Sequence, residues 1–60
     1  MKIYRRGLKI VSLEQVKEVA YNGSSVRVGY TNNDCAFIEV KGKEEANTVI
    51  DEIGEILRED

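Results

Sequence analysis

Residues 43–60 read KEEANTVIDEIGEILRED, and this stretch decides the architecture of the chain. Apolar residues recur in it at helical spacing, and nearly all the residues between them are charged or polar. The apolar positions are Ala46, Val49, Ile50, Ile53, Ile56 and Leu57. The pattern predicts one amphipathic helix that begins after Gly42, with an apolar stripe that the rest of the chain must cover.

The preceding 41 residues have the pattern of β-strands separated by turns. Residues 24–30 and 35–40 alternate apolar and polar side chains with a period of two. Each run has one apolar face, formed by Val26, Val28 and Tyr30 in the first and by Ala36, Ile38 and Val40 in the second. The sequence therefore predicts two strands that each bury one face.

The dipeptide Asn22-Gly23 predicts a hairpin between residues 16–21 and the strand that follows, because both residues tolerate a positive φ. A two-residue turn would place Val19 opposite Val26, and a four-residue turn would place it opposite Val28. Val19 lies on the face of Val26 in either register, so the face assignment does not depend on the turn.

The next hairpin is predicted to turn through Asn32-Asn33-Asp34. This loop would pair Arg27 with Glu39 and lay Phe37 across from Gly29, where an aromatic ring can cover bare glycine backbone. The apolar pairs of the same register are Tyr30–Ala36, Val28–Ile38 and Val26–Val40. One register thus satisfies the apolar pairs, the ion pair and the glycine together.

The start of the chain is predicted to form one further strand. Leu8 and Ile10 alternate as a strand requires, and a bulge at Arg6-Gly7 would bring Ile3 onto the same face. Residues 12–15, SLEQ, match a capping-box pattern. We interpret them as a single helical turn or a tight connection that leads into the strand at 16–21.

These elements predict one α+β domain over residues 1–60. It has two layers: a four-stranded antiparallel meander and one C-terminal helix packed on one sheet face, in the order β-β-β-β-α. The stretches IVSLEQVKEV, VRVGY and FIEVKGKEEANTVIDEI begin at residues 10, 26 and 37. They resemble small bacterial and phage domains of unknown function that have a meander and a C-terminal helix, similar to truncated pleckstrin-homology-like domains. The resemblance implies the fold and no ligand, because residues 22–25 lack the basic side chains of a lipid-binding loop.

The size and composition limit how the domain is stabilised. A chain of 60 residues buries only about 60% of the surface that its unfolded state exposes, so its stability is marginal, and the usual additions are a disulfide, a metal or oligomerisation. A single cysteine, Cys35, excludes an internal disulfide, and the absence of histidine argues against zinc. We therefore expect no cofactor, and a homodimer or small oligomer. The sequence contains no apolar run long enough to span a membrane and no recognisable signal peptide. Together with the single thiol, this leads us to expect a cytoplasmic protein.

The sequence lacks the groups that an active site based on a thiol or on paired carboxylates requires. Cys35 has no histidine to act as its base, and Asp34 beside it would disfavour the thiolate. The acidic residues lie on a helix face that is expected to be solvated, and 60 residues leave little room for a desolvated cleft. The sequence therefore predicts that the protein is not an enzyme.

Protein binding is the leading functional hypothesis, with the partner either a second copy or an unidentified protein. The predicted contact surfaces are the uncovered sheet face and the flank of the helix. Their residues are Phe37, Gly29, Arg27 and Tyr4 on the sheet and Gly54 on the helix. An aromatic side chain beside a small residue suits a modest protein contact.

Charge gives two further hypotheses, since residues 1–9 carry a net charge of +4 and residues 44–60 carry −6. The acidic helix face could mimic phosphate and inhibit a host protein, as a phage or mobile-element product would. Its residues are Glu45, Asp51, Glu52 and Glu55. The basic N-terminus could bind nucleic acid through Lys2, Arg5, Arg6 and Lys9, but four cations without interleaved aromatic residues are weak evidence for it.

Overall fold

The computed structural model describes residues 1–59 and contains five β-strands followed by one α-helix. The elements are β1 (Ile3–Arg6), β2 (Lys9–Ser12), β3 (Val16–Tyr21), β4 (Ser25–Tyr30), β5 (Cys35–Glu39) and α1 (Lys43–Arg58). β1 and β2 form a two-stranded antiparallel sheet, and β3, β4 and β5 form a three-stranded antiparallel sheet in that order. The predicted α+β class and C-terminal helix are confirmed, whereas the single four-stranded meander is wrong.

The first predicted strand is in fact a hairpin. Arg6 pairs with Lys9 around a two-residue turn, and Gly7 has φ +60°. Type II′ hairpin turns require a positive φ at their first central residue, and glycine is the residue that favours this conformation. The glycine therefore reverses the chain here, and the predicted bulge at Arg6-Gly7 is wrong.

The β3–β4 hairpin adopts the four-residue alternative, with Val19 opposite Val28. The side chain of Asn22 stabilises the turn, since its Oδ1 accepts the backbone N–H groups of Ser24 at 3.0 Å and Ser25 at 2.8 Å. Gly23 has φ +103°. The Asn-Gly pair thus forms the turn that the sequence predicts, in the longer of its two registers.

The β4–β5 register differs from the prediction by two residues. Val26 lies opposite Ile38, Val28 opposite Ala36 and Gly29 opposite Cys35, so the predicted pairs are wrong. The cause is the loop, which closes between Tyr30 and Asp34 because Asn33 adopts a left-handed conformation with φ +72°. A shift of two residues keeps every side chain on its predicted face.

The connection from β2 to β3 is the tight turn and not the helical one. Glu14 and Gln15 form the turn, and Gln15 has φ +60°. The hydroxyl of Ser12 accepts the N–H of Glu14 at 3.2 Å. The serine therefore stabilises a local turn, as serine also does outside helices.

The core lies between α1 and the three-stranded sheet, and the β1–β2 hairpin closes one side of it. Val28 and Val49 are fully buried, and Ile53 is almost so. The remaining members of the buried cluster are Tyr4, Val11, Leu13, Val26, Ile38 and Ala46. The helix stripe is therefore covered as predicted, with the first two strands contributing as well.

Gly54 lies at the edge of the helix stripe and is only partly buried. No atom lies within 4 Å of the position that a Cβ would occupy there. The glycine is therefore not required for packing of the helix on its own sheet, and it leaves open space beside the helix.

Replacing Gly54 with Ala should stabilise the fold by up to about 1 kcal/mol, because alanine is the better helix former and nothing obstructs its methyl group. Chemical denaturation of the two proteins measures the difference. Gly23→Ala is the matched control, since open space surrounds Gly23 but its φ of +103° disfavours a side chain. The control should lose stability, and a loss in Gly54→Ala as well would contradict the assignment of open space.

Candidate interaction surfaces

The most exposed apolar surface is the outer side of the β1–β2 hairpin, which we name the hairpin face (Ile3, Arg5, Leu8 and Ile10). Tyr4 and Val11 pair on the inner side, so alternation along the strands turns their neighbours outward. Leu8 at the turn is 104% exposed and Ile10 is 61% exposed. Ile3, Leu8 and Ile10 are not among the contact residues that the sequence predicts. A two-residue turn at Gly7-Leu8 is the signal that could have revealed them.

On the open face of the three-stranded sheet, Phe37 is 43% exposed, as expected for a contact residue. Its predicted position over Gly29 is wrong, because Phe37 lies opposite Arg27. The guanidinium of Arg27 covers Gly29 instead, with Nη1 3.5 Å from the position of a Cβ there. Arg27 also bonds to Glu18 at 3.4 Å and not to Glu39. This face therefore carries one exposed aromatic side chain beside an ion pair.

Tyr4 does not belong to an open face, and its predicted role as an exposed contact is wrong. It is 5% exposed, because the hairpin turns it toward the core, and its hydroxyl donates to Oε1 of Glu52 at 2.6 Å. Burial and the Glu52 carboxylate both raise the pKa of Tyr4 above its ordinary value. The side chain thus joins β1 to the helix.

A second apolar surface runs along one side of α1, which we name the helix flank (Asn47, Ile50, Gly54 and Leu57). These residues are three or four apart and therefore share one side of the helix. Leu57 is exposed, Ile50 is half-buried, and Gly54 between them has no side chain, with open space where a Cβ would lie. A shallow groove of about 370 Å³ continues from Ile50 toward Tyr21 on β3. Gly54 and Leu57 do not line this groove, so the open space at Gly54 is a bare section of helix surface next to two apolar side chains.

The four predicted acidic residues do not act as one free surface. Oε1 of Glu45 accepts the N–H of Lys41 at 3.0 Å and lies 3.3 Å from Arg6. These two contacts hold the pKa of Glu45 below its ordinary value. Glu52 accepts a hydrogen bond from the Tyr4 hydroxyl and Glu55 pairs with Arg58 at 2.9 Å, whereas the carboxylate of Asp51 makes no hydrogen bond or ion pair within residues 1–59.

The four predicted basic residues are also dispersed. The ammonium of Lys2 donates to the carbonyls of Leu57 and Glu59 at the end of α1. Arg6 pairs with Glu45, and Lys9 donates to the carbonyl of Phe37 on β5. Arg5 is on the hairpin face, where its Nε donates to the Gly7 carbonyl at 3.2 Å. Three of the four cations are therefore directed toward other parts of the fold, not aligned along one phosphate-binding surface.

Catalytic and metal chemistry have few candidate residues. Cys35 is exposed at the start of β5. In the part of the chain that the structure covers, no three His, Cys, Asp or Glu side chains are grouped so that they could hold a metal ion. No helix in that part is long and apolar enough to cross a membrane.

Comparison with known proteins adds no relative. No protein-family model, curated protein or solved structure matches the chain. The resemblance to truncated pleckstrin-homology-like domains therefore remains a prediction.

Replacing Glu45 with Gln should lower the thermal midpoint at neutral pH and have much less effect near pH 2. The folded state depresses the pKa of this carboxyl below the ordinary 4.5, so its stabilisation is complete above that pH and is lost as pH falls through the folded-state pKa. Thermal unfolding of both proteins between about pH 2 and neutral pH measures the difference in midpoint. Asp51→Asn is the control, because the Asp51 carboxylate has no hydrogen-bond or ion-pair partner within residues 1–59. A fall in the thermal midpoint of Glu45→Gln that is equal at neutral pH and near pH 2 would contradict the assignment.

Proposed function

We propose that this chain is a non-enzymatic protein-interaction module whose copies associate head to tail. The hairpin face of one copy docks on the helix flank of the next. The observation that carries the proposal is the leucine at the hairpin turn, because Leu8 is fully exposed and makes the tip of the domain apolar.

Burial of apolar surface supplies the driving force. A leucine side chain that is fully removed from water contributes roughly 1.5–3 kcal/mol. The β1–β2 hairpin is short, with four residues in each strand, and its outer side exposes Leu8, Ile10 and Ile3. A single contact would therefore cover all three side chains. Scattered exposed apolar residues are ordinary on protein surfaces, whereas a contiguous group favours an interaction site.

Charge favours a head-to-tail arrangement over a symmetric one. Arg5 lies within the hairpin face, and contact between two hairpin faces would bring two such cations together. The helix flank instead borders Asp51, an exposed acid without an internal partner in residues 1–59. Complementary charges steer association and disfavour the alternative contact.

The shape of the helix flank also suits the tip of the hairpin. Gly54 lies between Ile50 and Leu57 along the flank and has no side chain, so Leu8 can approach the helix backbone there beside both apolar residues. A head-to-tail contact leaves one unused face at each end, so the expected products are open chains or closed rings.

Complementing variants test the proposal. Leu8→Asp disrupts the hairpin face and Gly54→Arg fills the helix flank, so each variant alone should be a monomer in sedimentation velocity at concentrations where the parent chain associates. Mixed in equal amounts, they should form a dimer and nothing larger, because each retains the intact face that the other lacks.

Thr48→Arg is the matched control, since it places the same charge on the exposed side of α1 away from the flank and should leave association intact. A parent chain that sediments as a monomer at high concentration would overturn the proposal. So would association that either single variant leaves unchanged, and a mixture that remains monomeric would exclude the head-to-tail contact.

A further inference from the structure

β3 is an outer strand of the three-stranded sheet, and within residues 1–59 it pairs with β4 alone. The N–H of Asn22 donates to the Ser25 carbonyl at 3.0 Å, so this pair bonds across the hairpin. Bonded and non-bonded pairs alternate along an antiparallel ladder, and the register runs without a shift from Tyr21 back to Glu18. The N–H and C=O groups of Val19 and Tyr21 are therefore directed away from β4, along an open edge.

The open edge of β3 borders the helix flank. The side chains of Val19 and Tyr21 lie on the side of the sheet where α1 packs, and each is only half-buried. The shallow groove between Tyr21 and Ile50 lies along this border. On its opposite side, α1 is covered by β1 of its own chain, to which Glu45 and Glu52 bond. An added strand at β3 would therefore also cover the uncovered side of the helix.

β1 has a free edge of the same kind. The N–H of Leu13 donates to the Lys2 carbonyl at 2.9 Å, so this pair bonds across the hairpin, and the register continues from it without a shift. Alternation directs the backbone groups of Ile3 and Arg5 away from β2. Both residues also belong to the hairpin face. The free backbone groups and the exposed side chains of β1 thus come from the same two residues.

Alternation along the two strands determines how these edges can meet. In an antiparallel pair, residues whose backbone groups face each other lie directly opposite and direct their side chains to the same face. Pairing the free groups of β3 with those of β1 therefore sets the hairpin face on the side of the sheet where α1 lies. In a parallel pair, each residue bonds to the two that flank its neighbour. That arrangement would present the face of Tyr4, which the core of its own copy already buries.

We propose that β1 of an incoming copy adds to the edge of β3 of the receiving copy as an antiparallel strand. The proposal rests on the proposed function, head-to-tail association, and specifies the geometry of its contact. Tyr21 lies opposite Ile3 and Val19 lies opposite Arg5, so all the free backbone groups of both edges are used. The joined sheet has the order β5, β4 and β3 of the receiving copy, followed by β1 and β2 of the incoming copy.

The same register brings Leu8 to Gly54. α1 runs antiparallel to β3, because its first half borders Tyr21 while its last turn binds the ammonium of Lys2 near the start of β3. The turn of the incoming hairpin lies about four residues beyond Ile3, an advance of roughly 14 Å, which equals about nine residues of helix. Leu8 therefore comes level with the part of the helix flank that contains Gly54.

Charge favours the same register. Arg5 lies two residues beyond Ile3, an advance of about 7 Å, or roughly four to five residues of helix. That advance brings it past Ile50 to the level of Asp51, whose carboxylate has no ion-pair partner within residues 1–59. The pairing of backbone edges and the pairing of these two charges therefore agree.

The added strand is short. The register shift between Val16 and Glu18 ends the regular part of β3, and the turn at Gly7 ends β1. Two hydrogen-bonded pairs fit between these limits, which gives about four backbone bonds. Strand addition therefore orients the incoming hairpin, and the apolar side chains of the hairpin face supply most of the buried area.

The mixture of complementing variants tests the proposal on the full chain. Leu8→Asp retains the helix flank and Gly54→Arg retains the hairpin face, so their dimer contains one contact of known polarity. Hydrogen exchange is measured by NMR with one variant isotope-labelled at a time. The amides on the two proposed edges should gain at least about tenfold protection on mixing. These amides are Val19 and Tyr21 in labelled Leu8→Asp, and Ile3 and Arg5 in labelled Gly54→Arg.

The register has its own readout. Ala20 and Tyr4 form the non-bonded pair between the two bonded ones, where the Cα atoms of antiparallel strands approach to about 4.5 Å. Isotope-filtered NMR of the mixed dimer should therefore show an NOE between Hα of Ala20 in Leu8→Asp and Hα of Tyr4 in Gly54→Arg.

The outcomes separate this proposal from head-to-tail association itself. A dimer that lacks either the NOE or the edge protection would overturn strand addition and leave the head-to-tail contact in place. A mixture that stays monomeric would overturn both. Protection of Val19 in Leu8→Asp alone would show that two β3 edges pair with each other, and would overturn β1 as the added strand.

Matched variants test the backbone bonds in the parent chain. Ile3→Pro removes an outward N–H at the first residue of β1, where proline is tolerated, and Ile3→Val keeps the donor. Val19→Pro and Val19→Ala form the corresponding pair on β3. In sedimentation velocity, each proline variant should associate about fivefold more weakly than its matched variant, with the amide spectrum of α1 unchanged. Equal association within either pair would overturn the edge assigned to that strand.

Discussion

Burial of the helix stripe is the constraint on which the rest of the structure depends. Val49 and Ile53 have to leave water, and the face of β4 with Val28 covers them. A three-stranded sheet leaves one side of this contact open, and the inner side of the β1–β2 hairpin closes it with Tyr4. The hairpin contributes one face to the core and has no element behind it. Its outer apolar residues are therefore exposed as a consequence of how a short chain completes its core.

The sequence predicted which residues face the core more reliably than it predicted which residues pair. A period of two determines the face of a strand, and a register that slips by two residues preserves it. Val26, Val28 and Ile38 are accordingly buried although the predicted β4–β5 pairs are wrong. The slip arises from Asn33, because several residues between Tyr30 and Cys35 can adopt the left-handed conformation and the pattern does not distinguish them.

The start of the chain was harder to predict, because both faces of β1 and β2 carry apolar residues. Ile3 and Ile10 lie outside while Tyr4 and Val11 lie inside, so hydrophobic alternation does not identify the buried side. A bulge at Arg6-Gly7 would place Ile3 on the core face and Tyr4 on the exposed face, whereas the turn at Gly7 places them the other way round. The helical pattern places Gly54 at the edge of the apolar stripe, where it is partly buried, and its role as a contact residue stays a prediction. The open space beside Gly54 depends on where neighbouring elements lie, which the sequence alone does not show.

The fold also decides which charges and edges are available to a partner. Arg6 and Lys9 lie on the inner side of the hairpin, where they border the gap between the sheets instead of forming a basic surface with Arg5. Lys9 protects the β5 edge by bonding to the Phe37 carbonyl, as lysine commonly does at sheet edges. A single hydrogen bond of this kind contributes only about 0.5–1.5 kcal/mol. The protection of the β5 edge therefore depends on the inner side of the hairpin staying in place, because that is the side from which Lys9 reaches the Phe37 carbonyl.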